Sequence, residues 1–252
     1  MAGPDPVAQA FIVGAQRCGT TSVATALERH PQVVLAQPRR PEPKVFLRPG
    51  ADADVDAYLA RHYPDVGSDI RLRCEKSTSY FESDVACAQI RAAFPEARIL
   101  VVLRDPVERA LSHYRFSREQ GVEDLPVEAA LDPEAESRPW DTDAISVSPY
   151  RYLSRGRYVD DLRRWLETFG REAVQVIILE DLIAEPGRFA DIEAALGLDP
   201  GPAFAVHERH NAGEGEMALD DGTRARLVAW FADANAGLAE ELGRPIDLWA
   251  HA

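Results

Sequence analysis

Positive charge is what this 252-residue chain has least of. Its 28 Lys and Arg face 42 Asp and Glu, for a formal net charge of −14. Nucleic acid and anionic membranes bind basic faces, so neither is expected as the main partner. A highly sulfated polysaccharide is disfavoured for the same reason. Arg39, Arg40, Lys44 and Arg48 could still form a local basic cleft. Cysteine is sparse and odd in number, with only Cys18, Cys74 and Cys87. That argues against a disulfide framework and for a reducing, cytoplasmic setting. No apolar run approaches the length of a membrane span. The segment Met1-Ala2-Gly3-Pro4-Asp5-Pro6 has neither a basic residue nor a long apolar core, so no secretory signal is expected. Internal repeats, low-complexity runs and linkers are also missing, which leaves a single domain over 1–252 as the expectation.

What is present is an alternation of strand and helix signals, the pattern of a parallel α/β sheet covered by helices on both faces. Strands are expected near 10–14, over Ile70 to Ser77, over Arg98 to Leu103 and over Val174 to Leu179. The third is apolar throughout, as befits a central strand buried on both faces. Helices are expected at about 20–29, 54–62, 84–94, from Val107 onward, from Tyr158 to Phe169, at 188–197 and at 220–242. Asp105-Pro106-Val107-Glu108 reads as a helix start, with Asp105 as N-cap and Glu108 completing a capping box. The following stripe is Val107, Ala110, Leu111 and Tyr114, which leaves Ser112 outside it and available. The last helix should bury Leu227, Trp230, Phe231, Ala234 and Leu238. Residues 132–148 read as a long polar loop of the kind that forms functional lids.

The chemistry concentrates first at Gly14-Ala15-Gln16-Arg17-Cys18-Gly19-Thr20-Thr21-Ser22. A strand runs into a glycine loop and then into a helix that opens with hydroxyl residues. Unpaired amides and the helix dipole favour an anion there. The Gly14 to Gly19 spacing matches the start of a Walker A loop, but Thr20 stands where that motif requires lysine. Arg17 is the only cation within the loop.

This loop closely resembles the 5′-phosphosulfate loop of sulfotransferases that use 3′-phosphoadenosine 5′-phosphosulfate (PAPS). Three further stretches resemble that family in order. Pro41-Glu42-Pro43-Lys44-Val45-Phe46 is similar to a Lys-Glu-Pro-x-x-Phe-like motif, with Pro41 in place of the lysine. Cys74-Glu75-Lys76-Ser77-Thr78-Ser79-Tyr80-Phe81 is similar to the Glu-Lys-Thr-Pro-x-Tyr-Phe segment of the heparan-sulfate-type branch. Leu103-Arg104-Asp105-Pro106, continued by Arg109 to Tyr114, resembles the 3′-phosphate motif. The resemblance covers about Phe11 to Gly215.

The resemblance implies a P-loop-like three-layer α/β fold with a central parallel sheet flanked by helices. It implies in-line transfer of a sulfuryl group from PAPS to a hydroxyl of a small molecule or sugar, releasing 3′,5′-adenosine bisphosphate (PAP), with no metal required. Gln16, Arg17, Cys18, Gly19, Thr20, Thr21 and Ser22 would hold the 5′ end. Arg104 and Ser112 would hold the 3′-phosphate, and Arg209 and Asn211 are weaker cofactor candidates. Glu42 is the expected base, and Lys76 and Arg17 the cations at the transferring group. The phenol-type branch places a histidine base near Ser77-Thr78, where this chain has none. Two other readings remain: a phosphotransferase with an altered Walker A loop, and a non-catalytic nucleotide-binding protein.

Overall fold

The computed structural model describes residues 7–141, 147–202, 204, 219–246 and 249. Five strands alternate with helices: β1 (Ala8–Gly14), α1 (Thr20–Glu28), β2 (Val33–Leu35), α2 (Val55–His62), β3 (Leu72–Lys76), α3 (Asp84–Ala93), β4 (Arg98–Leu103), α4 (Pro106–Glu119), α5 (Val127–Ala130), α6 (Tyr158–Phe169), β5 (Val174–Ile178), α7 (Leu179–Ala184), α8 (Phe189–Ala195) and α9 (Asp221–Leu242). Two compact units divide the chain. One comprises Met1–Leu103 with Leu162–Val206, and the other Arg104–Asp161 with His207–Ala252.

The first unit holds a parallel sheet in the order β2-β3-β1-β4-β5, flanked by helices. β1 and β4 lie inside it, and their apolar runs from Ala10 to Val13 and from Ile99 to Leu103 are entirely buried. Such runs have no polar side to show to water, so the sheet must be covered on both faces. Register aligns Ile12 of β1 with Lys76 of β3. The turns after both strands therefore emerge side by side, at the edge where parallel α/β sheets bind ligands. β2 is a three-residue edge strand that hydrophobic patterning did not reveal, and α7 at six residues is too short to show a helical period.

In the second unit α4 and α9 share an apolar core of Val107, Ala110, Leu111, Tyr114, Leu227 and Phe231. Asp105 caps α4 as its sequence suggests, accepting from the amides of Val107 at 2.7 Å and Glu108 at 3.1 Å. The Glu108 carboxylate turns to Arg224 at 3.0 Å. Ser112 lies outside the stripe and is buried. One expectation is corrected. Trp230 is 41% exposed. Leu227, Phe231, Ala234 and Leu238 form the inward stripe, and Trp230, one residue before Phe231, is rotated about 100° away from it.

The polar stretch read as a lid is tied down over its first half. Glu136 accepts from the amides of Leu153 and Ser154. Arg138 forks onto the buried Glu123 at 2.9 and 2.5 Å and lies over the Tyr150 ring. Glu123 also accepts from the Tyr152 hydroxyl at 2.8 Å and from the amides of Asp124 and Leu125. Burial raises this carboxyl, but the hydrogen bonds from Arg138, the Leu125 amide and Tyr152 outweigh it and leave its pKa lowered. A lowered carboxylate pKa adds stability above the unfolded value and loses it as pH falls through the folded value. Glu123→Gln is therefore expected to cost about 3 kcal/mol at neutral pH, as for breaking a buried ion pair. Denaturant melts should show the gap to the parent closing in acid. An equal gap at both pH values would mean that the loss is packing alone.

Candidate active site

The loop after β1 has the backbone of an anion cradle. Arg17 and Gly19 are left-handed, with φ 69° and 82°. Alternation of such residues turns successive amides toward one concavity. Glycine is needed at position 19 on two counts: its positive φ, and the Leu179 side chain, which would lie 2.8 Å from an added Cβ. At Gly14 a Cβ would run into Phe81. The N-cap of α1 is Gly19, which has no side chain to cap the leading amides. These features fit a bound phosphosulfate. Thr20 is buried, and Thr21 and Ser22 are half-buried. The Gln16 side chain reaches Ser79 at 3.3 Å and Glu82 at 3.5 Å. Cys18 is wholly buried, and its amide donates back to Ala15 at 3.3 Å within the loop.

At the end of β3 the structure brings together residues far apart in sequence. The Lys76 ammonium pairs directly with the Glu42 carboxylate, and both side chains are mostly shielded. Glu42 also accepts from the Thr78 amide at 3.0 Å and the Thr78 hydroxyl at 3.1 Å. The carboxylate is thus aimed by three donors. Sequence reasoning treated Ser77-Thr78 only as the place of a missing histidine and so overlooked Thr78. The cue was a hydroxyl two residues beyond Lys76 at the ligand-binding edge of a strand.

Beneath this pair lies Glu75, wholly buried and likewise unassigned from sequence. It accepts from the Tyr58 and Ser77 hydroxyls, each at 2.6 Å. Burial pushes its carboxyl up, and hydrogen bonding to these hydroxyls pulls part of the way back. The alternation at β3 assigned Leu72, Cys74 and Lys76 to one face and gave no reason to expect a carboxylate buried on the other.

The remaining candidates are more scattered. Arg104, in the second unit, has its carbonyl held by the Tyr158 hydroxyl at 2.9 Å and its guanidinium 3.9 Å from Glu108. Arg209 and Asn211 lie outside the described residues. In the proposed basic cleft Arg39 is taken up by Glu28 and by Thr25 at 3.3 Å. Every described histidine is buried: His30, His62 and His113. His30 contacts the Asp199 carbonyl at 2.8 Å, and His62 the Gln37 carbonyl at 2.6 Å.

The sulfotransferase domain family matches residues 8–191. The chain belongs to that family. Sulfotransferases of this kind take their sulfuryl group from PAPS and release PAP, and the phosphotransferase reading of the altered Walker A loop is disfavoured. A sulfotransferase from Alicyclobacillus acidocaldarius superposes with a TM-score of 0.79 at 27% identity, covering 99% of this chain and all of that one. The bifunctional heparan sulfate N-deacetylase/N-sulfotransferase 2 of Bos taurus is 27% identical over 97% of this chain. The corresponding enzyme 1 of Caenorhabditis briggsae is 27% identical over 81%. The chain spans only 31% and 24% of those two relatives. Among the described residues, no helix is long and apolar enough to cross a membrane.

Proposed function

We propose that this protein transfers a sulfuryl group from PAPS to a hydroxyl of a small molecule or sugar, with Glu42 as general base. The observation that carries the proposal is the Glu42 carboxylate, clamped by Lys76 and Thr78 at the C-terminal end of β3, beside the loop after β1. When bound, PAPS supplies the activated sulfuryl group. Gln16 to Ser22 would hold its 5′ end, and Arg104 and Ser112 its 3′-phosphate. Glu42 would accept the acceptor's proton as the acceptor oxygen bonds to sulfur. Lys76 and Arg17 would stabilise the negative charge on the departing phosphate oxygen, which keeps the electron pair of the broken bond. Lys76 begins in contact with the base, so it can shift toward the leaving oxygen as Glu42 gains its proton. Three free, buried cysteines suit a cytoplasmic location, and the acidic net charge suits an uncharged acceptor better than a nucleic acid. A second reading, an amine acceptor on an amino sugar, is favoured by the N-sulfotransferase relatives.

The expected result for the donor is a rise in melting temperature with PAP in the absence of Mg²⁺. Adenosine 5′-phosphosulfate, which lacks the 3′-phosphate, should act much more weakly, and Arg104→Ala should erase the difference. Stabilisation by ATP with Mg²⁺ but not by PAP would refute the PAPS assignment. Parallel assays of hydroxyl and amine acceptors with radiolabelled PAPS decide between the two acceptor readings.

A further inference from the structure

We infer that Glu75 is a positioning residue that sets Glu42 in place through a hydroxyl relay; this rests on the reading of Glu42 as the base. The Ser77 hydroxyl donates to Glu75 at 2.6 Å and accepts from the Lys44 amide at 3.0 Å. The relay ends on the backbone two residues after Glu42. The Tyr80 hydroxyl accepts from the Phe46 amide at 3.2 Å.

The direction of these bonds matters. An ionised carboxylate only accepts, so every hydroxyl around it must point its proton inward. The Ser77 lone pairs then face outward, toward the Lys44 amide. Tyr58 is the second donor, and its ring packs on Phe46 with centroids 5.1 Å apart. Phe46 is itself buried against Phe11, Tyr80 and Phe94. From α3, Gln89 holds the Phe46 and Arg48 carbonyls at 3.0 and 2.6 Å. Gln89 thus fixes the far side of the turn, and the Glu75 relay fixes the side that carries Glu42. A carboxyl buried at this depth is costly. An apolar residue would fill the space more cheaply but could not orient two hydroxyls.

The test is Glu75→Gln, which keeps the shape but replaces one acceptor with an NH2 donor. Where the NH2 meets Ser77, that hydroxyl must reverse and turn its proton toward the Lys44 N–H. Because small misplacements of reacting groups cost up to about 10²-fold, kcat should fall by about 10-fold or more. The KM for PAPS and the PAP-induced melting shift should stay within about twofold of the parent, because the loop after β1 is untouched. In a Glu42→Gln background the same change should have no further effect on kcat. An equal loss in both backgrounds, or normal turnover of Glu75→Gln, overturns the inference while leaving the base assignment standing. Near-normal turnover of Glu42→Gln alone removes the base and this role with it. Ser77→Ala cuts the relay directly and is read by the same cycle against Glu42→Gln, whether or not Glu75→Gln folds.

Discussion

Glu42→Gln is expected to lower kcat by about 10²–10⁴-fold while leaving PAP binding unchanged. The amide keeps the shape of the carboxylate and can still accept from the Thr78 amide and hydroxyl, but it cannot take a proton. The acceptor grades the effect. A phenol ionises more readily than an alcohol and leans less on a base, so the loss should be larger with an alcohol. The competing assignment is a histidine base. His62 and His113 are each only 4% exposed, and His62 is held by the Gln37 carbonyl. Substituting either should cost stability more than turnover. A Glu42→Gln enzyme with near-normal turnover on an alcohol, beside a folded but inactive histidine variant, would transfer the role to that histidine.

Lys76→Ala should reduce kcat by about 10²–10³-fold, the cost of a lost transition-state donor. PAPS affinity should fall less, because the loop after β1 retains its amides and Arg17. The chain contains just two lysines, Lys44 and Lys76, among 28 basic residues. Arginine therefore supplies nearly all of its positive charge, yet an ammonium stands at the end of β3. A guanidinium is planar and prefers to lock a carboxylate in a two-point grip. An ammonium is a compact charge that can leave Glu42 for a neighbouring oxygen. Lys76→Arg is accordingly expected to bind PAPS and turn over poorly. Full activity in Lys76→Ala would reduce the pair with Glu42 to a structural ion pair.

The two residues differ in how far each could be read in advance. Lys76 could be placed from alternation within β3, since Leu72, Cys74 and Lys76 share a parity and the strand ends there. Glu42 sits in a segment without regular structure, and only its resemblance to a family motif singled it out. Nothing in the sequence suggested that these residues touch, or that Thr78 holds one of them. One misreading has the same origin. Trp230 is apolar and near the stripe of α9, yet it faces water.

The sequence by itself determined what neighbouring residues decide among themselves. The β1 strand, its glycine loop and α1 follow from an apolar run, two glycines and a hydroxyl-rich helix start. β4 follows from its unbroken apolar run, and the start of α4 from Asp105 and Pro106. Each is an interaction within one or two turns of chain, where spacing fixes geometry. The tertiary structure alone decided the contacts across the sheet edge. Glu42 lies 34 residues from Lys76 and 36 from Thr78, and Glu75 reaches the Lys44 amide through the Ser77 hydroxyl. Those pairings depend on β3 lying beside β1 in the order β2-β3-β1-β4-β5. They depend also on Phe46 finding an aromatic box built from β1, α2, α3 and the turn after β3. Side-chain periodicity carries no record of which strands will be neighbours, because that is settled by the burial of whole faces against one another.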